Sequence, residues 1–78
     1  MTEGFRRNIR ELAIGEKVRL IRENKGISTV ELAQKTGLSN GLVSQIENEQ
    51  VSPPISTLLK IANGLSTDIS FFFQEKVG

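Results

Sequence analysis

Apolar residues recur along this chain at intervals of three and four, and no run alternates with period two over a convincing length, so the pattern predicts an all-helical domain. Ile14, Val18 and Ile21, spaced i, i+4 and i+7, define the inner face of a first helix over about residues 14–25. Gly26 ends it at a position suited to a left-handed backbone. Upstream, Phe5, Ile9 and Leu12 fall on one stripe. Residues 1–13 therefore either extend that helix backwards, with Gly15 as a weak point, or form a separate helix or arm.

Ser28-Thr29-Val30-Glu31 is a capping box: the serine oxygen accepts from the amide three residues on, and the glutamate reaches back to the serine amide. A second helix, about residues 28–36, starts there and stops at Gly37. Ser39 is the next N-cap. The third helix, about residues 40–48, turns Val43 and Ile46 inward and leaves Asn40, Gly41, Ser44 and Gln45 on an outer polar face. Ser52-Pro53-Pro54 breaks the pattern, because the residue before a proline is biased out of the helical region. In the fourth helix, about residues 55–65, Ile55, Leu58, Leu59, Ile61, Ala62 and Leu65 spread around most of the circumference, as a central core helix requires. Asp68 caps a short fifth helix carrying Phe71, Phe72 and Phe73, and residues 75–78 form a tail.

Composition narrows the chemistry. Seventy-eight residues hold one domain, spanning about residues 14–74 by this pattern. With neither cysteine nor histidine, the chain has no disulfide, no thiolate or imidazole chemistry and no metal ligand of those types. A carboxylate or lysine mechanism needs a concave site that so small a domain seldom encloses, and no GxxxxGK loop is present. The reading is a non-enzyme without cofactor or metal. No run approaches the roughly 18 apolar residues of a membrane span and no signal-type apolar region opens the chain, so the expected compartment is the cytoplasm, with no membrane partner.

Two short helices joined by a tight glycine-containing turn make a helix-turn-helix unit. Ala33 is small where the two helices must approach, Gly37 permits the positive φ that redirects the chain, and Leu32, Leu38, Val43 and Ile46 clamp the pair from inside. A helical hairpin with no ligand is the plain alternative.

IGEKVRLIRENKGIS, TVELAQKTGLSNGLVSQIEN and SPPISTLLKIANGL resemble consecutive elements of the phage repressor and Cro family of bacterial DNA-binding regulators, over residues 14–73. The wording of the third and fourth helices is most similar to regulators that carry a cupin sensor domain after the DNA-binding domain, and the chain is either the N-terminal domain of such a protein or a stand-alone member. The resemblance implies a five-helix lambda-repressor-like fold with the third helix in the major groove of double-stranded DNA. Asn40, Gly41, Leu42, Ser44 and Gln45 then read bases, Gln45 foremost, since its amide bonds bidentately to adenine for roughly 1–3 kcal/mol of discrimination. Ser28, Thr29, Ser39 and Asn48 take phosphate positions. Arg22 and Glu47 match a family salt bridge between the first and third helices. Burial of Ile69, Phe72 and Phe73 would leave Phe71 exposed for a two-fold dimer on a palindromic operator, its recognition helices about 34 Å apart.

Charge adds a complication. The net +1 divides into +3 over residues 1–25 and −2 over residues 26–78. Residues 28–52 hold Lys35 against Glu31, Glu47 and Glu49, and Glu49-Gln50-Val51-Ser52 stands where the family has glycine followed by bases. An acidic reading face weakens the electrostatic attraction to DNA, so Arg6, Arg7 and Arg10 are candidates for a compensating arm on the backbone. Repression of transcription is the leading reading, with a restriction-modification controller or a protein-interaction module on the same fold as alternatives.

Overall fold

Across residues 12–74, which the computed structural model describes, the chain forms four α-helices and a 3-10 turn, with no strand among the described residues. The helices are α1 (Ile14–Asn24), α2 (Thr29–Thr36), α3 (Asn40–Glu47) and α4 (Ile55–Gly64), followed by the 3-10 turn Ile69–Phe73. The expected N-terminal arm and the 75–78 tail lie outside the described residues.

The break before α1 falls at Ala13, which has φ 49°, and not at Gly15. Gly15 sits inside the helix because no side chain fits there: a Cβ would stand 2.0 Å from the carbonyl oxygen of Ile46. Gly26 (φ 68°) turns the chain after α1, and the Ile27 N–H returns to the Arg22 carbonyl.

Ser28 opens α2 by accepting from the Glu31 N–H at 3.0 Å, one half of the expected capping box; the Glu31 side chain makes no return bond among the described residues. Gly37 closes α2 at φ 77°. The Thr36 hydroxyl tightens this turn, donating to the Leu32 carbonyl at 2.9 Å and accepting from the Leu38 N–H at 3.3 Å. Ser39 then caps α3 by accepting from the Leu42 N–H at 3.0 Å.

Val18, Leu32, Val43, Ile46, Leu58, Ile61, Leu65 and Phe72 are almost wholly removed from water and form one core. Each contributes about 1.5–3 kcal/mol by burial, so the four helices and the 3-10 turn depend on one another rather than on local propensity. α1 packs on α3, α2 on α3 and α4, and the 3-10 turn on α1 and α4. Lys17, buried, donates to the Gln74 carbonyl and ties α1 to the end of that turn.

Two apolar assignments change. α4 is not apolar-packed around its circumference: Ile55 and Leu59, one turn apart, are 57% and 44% exposed, and only Leu58, Ile61 and Ala62 face the core from within the helix. Among the described residues Phe73, not Phe71, is the exposed phenylalanine, at 43%. A 3-10 turn has three residues per turn rather than 3.6, which rotates successive side chains further apart. Phe72 therefore enters the core, Phe71 packs half-buried beside it with ring centroids 6.0 Å apart in an edge-to-face arrangement, and Phe73 points away.

Candidate nucleic-acid interface

α3 is anchored by its inner face and free on its outer one. Val43 and Ile46 lock it to the core, and Leu42 packs half-buried against the same cluster. Asn40, Gly41, Ser44 and Gln45 are all exposed. A Cβ at Gly41 would meet nothing within 4 Å, so this glycine answers no packing need. Leu42 thus stands apart from the four exposed members of the expected base-reading set.

The predicted phosphate residues lie at helix ends. Ser28 and Ser39 each use a hydroxyl oxygen to accept a helix amide, which leaves the hydroxyl proton to be donated outward. Thr29 is half-buried, and Asn48, exposed, ends α3. Arg6, Arg7 and Arg10 lie outside the described residues.

Arg22 and Glu47 form the expected inter-helix ion pair. Arg22 Nε donates to Glu47 Oε2 at 2.7 Å and Nη2 to Oε1 at 3.0 Å, while Nη1 donates to the Ile27 carbonyl at 2.8 Å. The two side chains are 12% and 2% exposed. The bond to Glu47, outweighing the cost of burial, holds the Arg22 guanidinium protonated even beyond its ordinary range. Sequence reasoning missed the second cation of this cluster: Arg19 Nε lies 3.4 Å from Glu47 Oε1, and its Nη2 donates to Asn48 Oδ1 at 2.6 Å. Its signal was present in the spacing, since Arg19 and Arg22 are i, i+3 neighbours on one face of α1.

Glu49 is also accounted for. It stands at φ 61°, the left-handed position that explains glycine as the residue favoured there, and its carboxylate accepts from the Gly15 N–H. Glu47 is buried in an ion pair and Glu49 is held at the positive end of α1, so the simple charge sum over residues 28–52 overstates how acidic the outer face of α3 is. Among the described residues no group of three His, Cys, Asp or Glu side chains could hold a metal, and no helix is long and apolar enough to cross a membrane.

Known proteins share this fold. The Helix-turn-helix family model, HTH_3, matches residues 18–72. The chain is 39% identical over 64 residues to the HTH-type transcriptional regulator PuuR of Escherichia coli strain K12, covering 82% of this chain and 35% of that protein. A crystal structure of an HTH_3 family transcriptional regulator from Vibrio cholerae superimposes with a TM-score of 0.77 at 37% identity, over 85% of this chain and 38% of that one. The restriction-modification controller protein C.AhdI from Aeromonas hydrophila gives a TM-score of 0.76 at 29% identity, over 80% of this chain and 94% of that one. The chain spans about a third of the PuuR sequence. With its two short helices, its glycine turn and its inter-helix ion pair in place, the chain belongs to the Cro/cI-type helix-turn-helix family (HTH_3), whose members are DNA-binding transcriptional regulators.

Proposed function

We propose that this domain binds double-stranded DNA sequence-specifically with α3 in the major groove, and that it represses transcription from the site it occupies. The observation that carries the reading is the exposed polar row Asn40, Gly41, Ser44 and Gln45 on a helix whose opposite face is fixed by core packing and by Glu47. Asn and Gln amides can bond bidentately to adenine, and Gly41 admits the DNA close to the backbone. Phosphates bind Ser28, Thr29, Ser39 and Asn48 and fix the docking register.

The acting form is a homodimer on a palindromic operator, in the cytoplasm and without a catalytic step. Exposed Ile55, Leu59 and Phe73 support a subunit contact better than half-buried Phe71 does.

Titration of a labelled duplex pool at low and high salt tests the central reading. Saturable binding whose log affinity falls linearly with log salt is the expected result. A protein-interaction module would give neither. Sedimentation of the same sample tests the dimer, and a monomer at micromolar concentration would remove it.

A further inference from the structure

Three contacts join α1 to the C-terminal end of α3, and the middle one faces solvent. Gly15 meets Glu49, Arg22 meets Glu47, and between them Arg19 bridges Glu47 and Asn48. Glu47 receives two short bonds from the buried Arg22 and one longer contact from Arg19. Two guanidinium groups therefore share one carboxylate. Of the two, Arg19 is the one open to solvent, its side chain 43% exposed.

Asn48 is oriented by this arrangement. Its Oδ1 accepts from Arg19 Nη2 at 2.6 Å, which turns its Nδ2 to the side of Ser44, 3.5 Å from the Ser44 hydroxyl oxygen. Ser44 belongs to the exposed row of α3. Arg19 Nη1 makes no bond to any described residue, and a guanidinium has no acceptor atom. An exposed cationic fork of N–H donors is complementary to the oxygens of a monoanion such as a phosphodiester. Ser39 and Asn48 stand at opposite ends of α3, roughly 13 Å apart at 1.5 Å per residue, close to the ~12 Å width of a major groove.

We infer that Arg19 is a phosphodiester ligand and the positioning residue for Asn48, so that the two grip the DNA backbone at the C-terminal end of α3, across the groove from Ser39. This inference rests on α3 being the groove-reading helix. It also supplies, from α1, the cation that the loop after α3 lacks in Glu49-Gln50-Val51-Ser52.

The test uses the whole chain and a duplex recovered by selection from a random pool, with affinity measured across a salt series. Arg19→Ala is expected to flatten the salt slope by about 0.9 and to weaken binding about tenfold, equally on the selected duplex and its point variants. Arg19→Lys should restore the slope, since it keeps the charge, but only part of the affinity, since an ammonium does not reproduce the guanidinium fork that holds Asn48. Asn48→Ala should cost less in the Arg19→Ala background than in the wild type. An unchanged slope and affinity for Arg19→Ala, or a changed base preference, overturns the inference while leaving α3 as the reading helix. Wild-type protein that shows no saturable, salt-dependent binding overturns both. Thermal unfolding of each variant controls for folding; should Arg19→Ala unfold early, Arg19→Gln takes its place with the same expected slope.

Discussion

Both carboxylate oxygens of Glu49 stand 3.2 Å from the backbone nitrogen of Gly15, so a side chain beyond the end of α3 caps the start of α1. Ala13, the residue in the N-cap position, supplies no side-chain bond of its own. Glu49→Ala should lose the cap and keep the left-handed backbone, at a cost of about 1–2 kcal/mol. Glu49→Gly should cost less, because glycine relieves the strain at φ 61° as the cap is lost. Urea denaturation of the two variants measures the difference, and equal stabilities would remove either the cap or the strain from this account.

Two glycines on facing helices should respond in opposite directions to alanine. In a helix interior Gly→Ala gains about 1 kcal/mol from propensity alone. At Gly41 nothing opposes that gain, so Gly41→Ala should stabilise the fold by about 0.5–1 kcal/mol while altering DNA affinity. At Gly15 a Cβ 2.0 Å from the Ile46 carbonyl forces backbone movement, and overpacking of about 1–3 kcal/mol outweighs the propensity. Thermal melts of both variants, with duplex titration alongside, check the pair.

Removing the Glu47 carboxylate strands the Arg22 guanidinium in the interior, whereas removing Arg22 leaves Glu47 its longer contact with Arg19. Glu47→Gln should cost about 3–5 kcal/mol and Arg22→Met less, and the double variant Arg22→Met/Glu47→Gln should cost less than the sum. A double-mutant cycle by chemical denaturation reads this directly, and additive losses would show that the pair is not coupled.

Asp68 carries an acid-side signature. Its carboxylate accepts from the Ser70 backbone N–H at 2.8 Å, and the Ser70 bonds hold its pKa below the ordinary 3.8. A carboxyl whose folded value is depressed contributes stability that is complete above its unfolded value and is lost as pH falls through the folded one. Asp68→Asn should therefore narrow the gap to wild type only at pH values below 3.8. Carboxyl NMR titration measures the midpoint, and an Asp68 midpoint at or above the ordinary value would contradict the cap.

Gln45→Ala should relax the preference at one base pair of the selected site by roughly 1–3 kcal/mol, with the salt slope unchanged. Competition among point variants of the duplex measures it. An unaltered preference would make Gln45 an ordinary solvated residue.

The helices, their caps at Ser28 and Ser39, the turn at Gly37 and the inner faces of α2 and α3 were legible because each rests on local spacing or local hydrogen bonding. The Arg22–Glu47 pair was legible only through family resemblance, as no local rule joins residues 25 positions apart. What escaped was set by tertiary geometry. Ile55 and Leu59 match a core pattern but face outward, the 3-10 winding exchanged the surroundings of Phe71 and Phe73, and Gly15 reads as a helix flaw although it is a point of close approach. For Arg19 the sequence held only its i, i+3 spacing from Arg22, because its partners Glu47 and Asn48 lie on another helix.

The stripe formed by Gly15, Arg19 and Arg22 has a consequence for divergence among such domains. It holds α3 at its C-terminal end through Glu47, Asn48 and Glu49, and it reaches the exposed row at Ser44, whose hydroxyl oxygen stands 3.5 Å from the Asn48 amide nitrogen. Asn40, Gly41 and Gln45, which make no bond to that stripe among the described residues, can therefore change to give new sequence preferences while the scaffold that presents them stays the same.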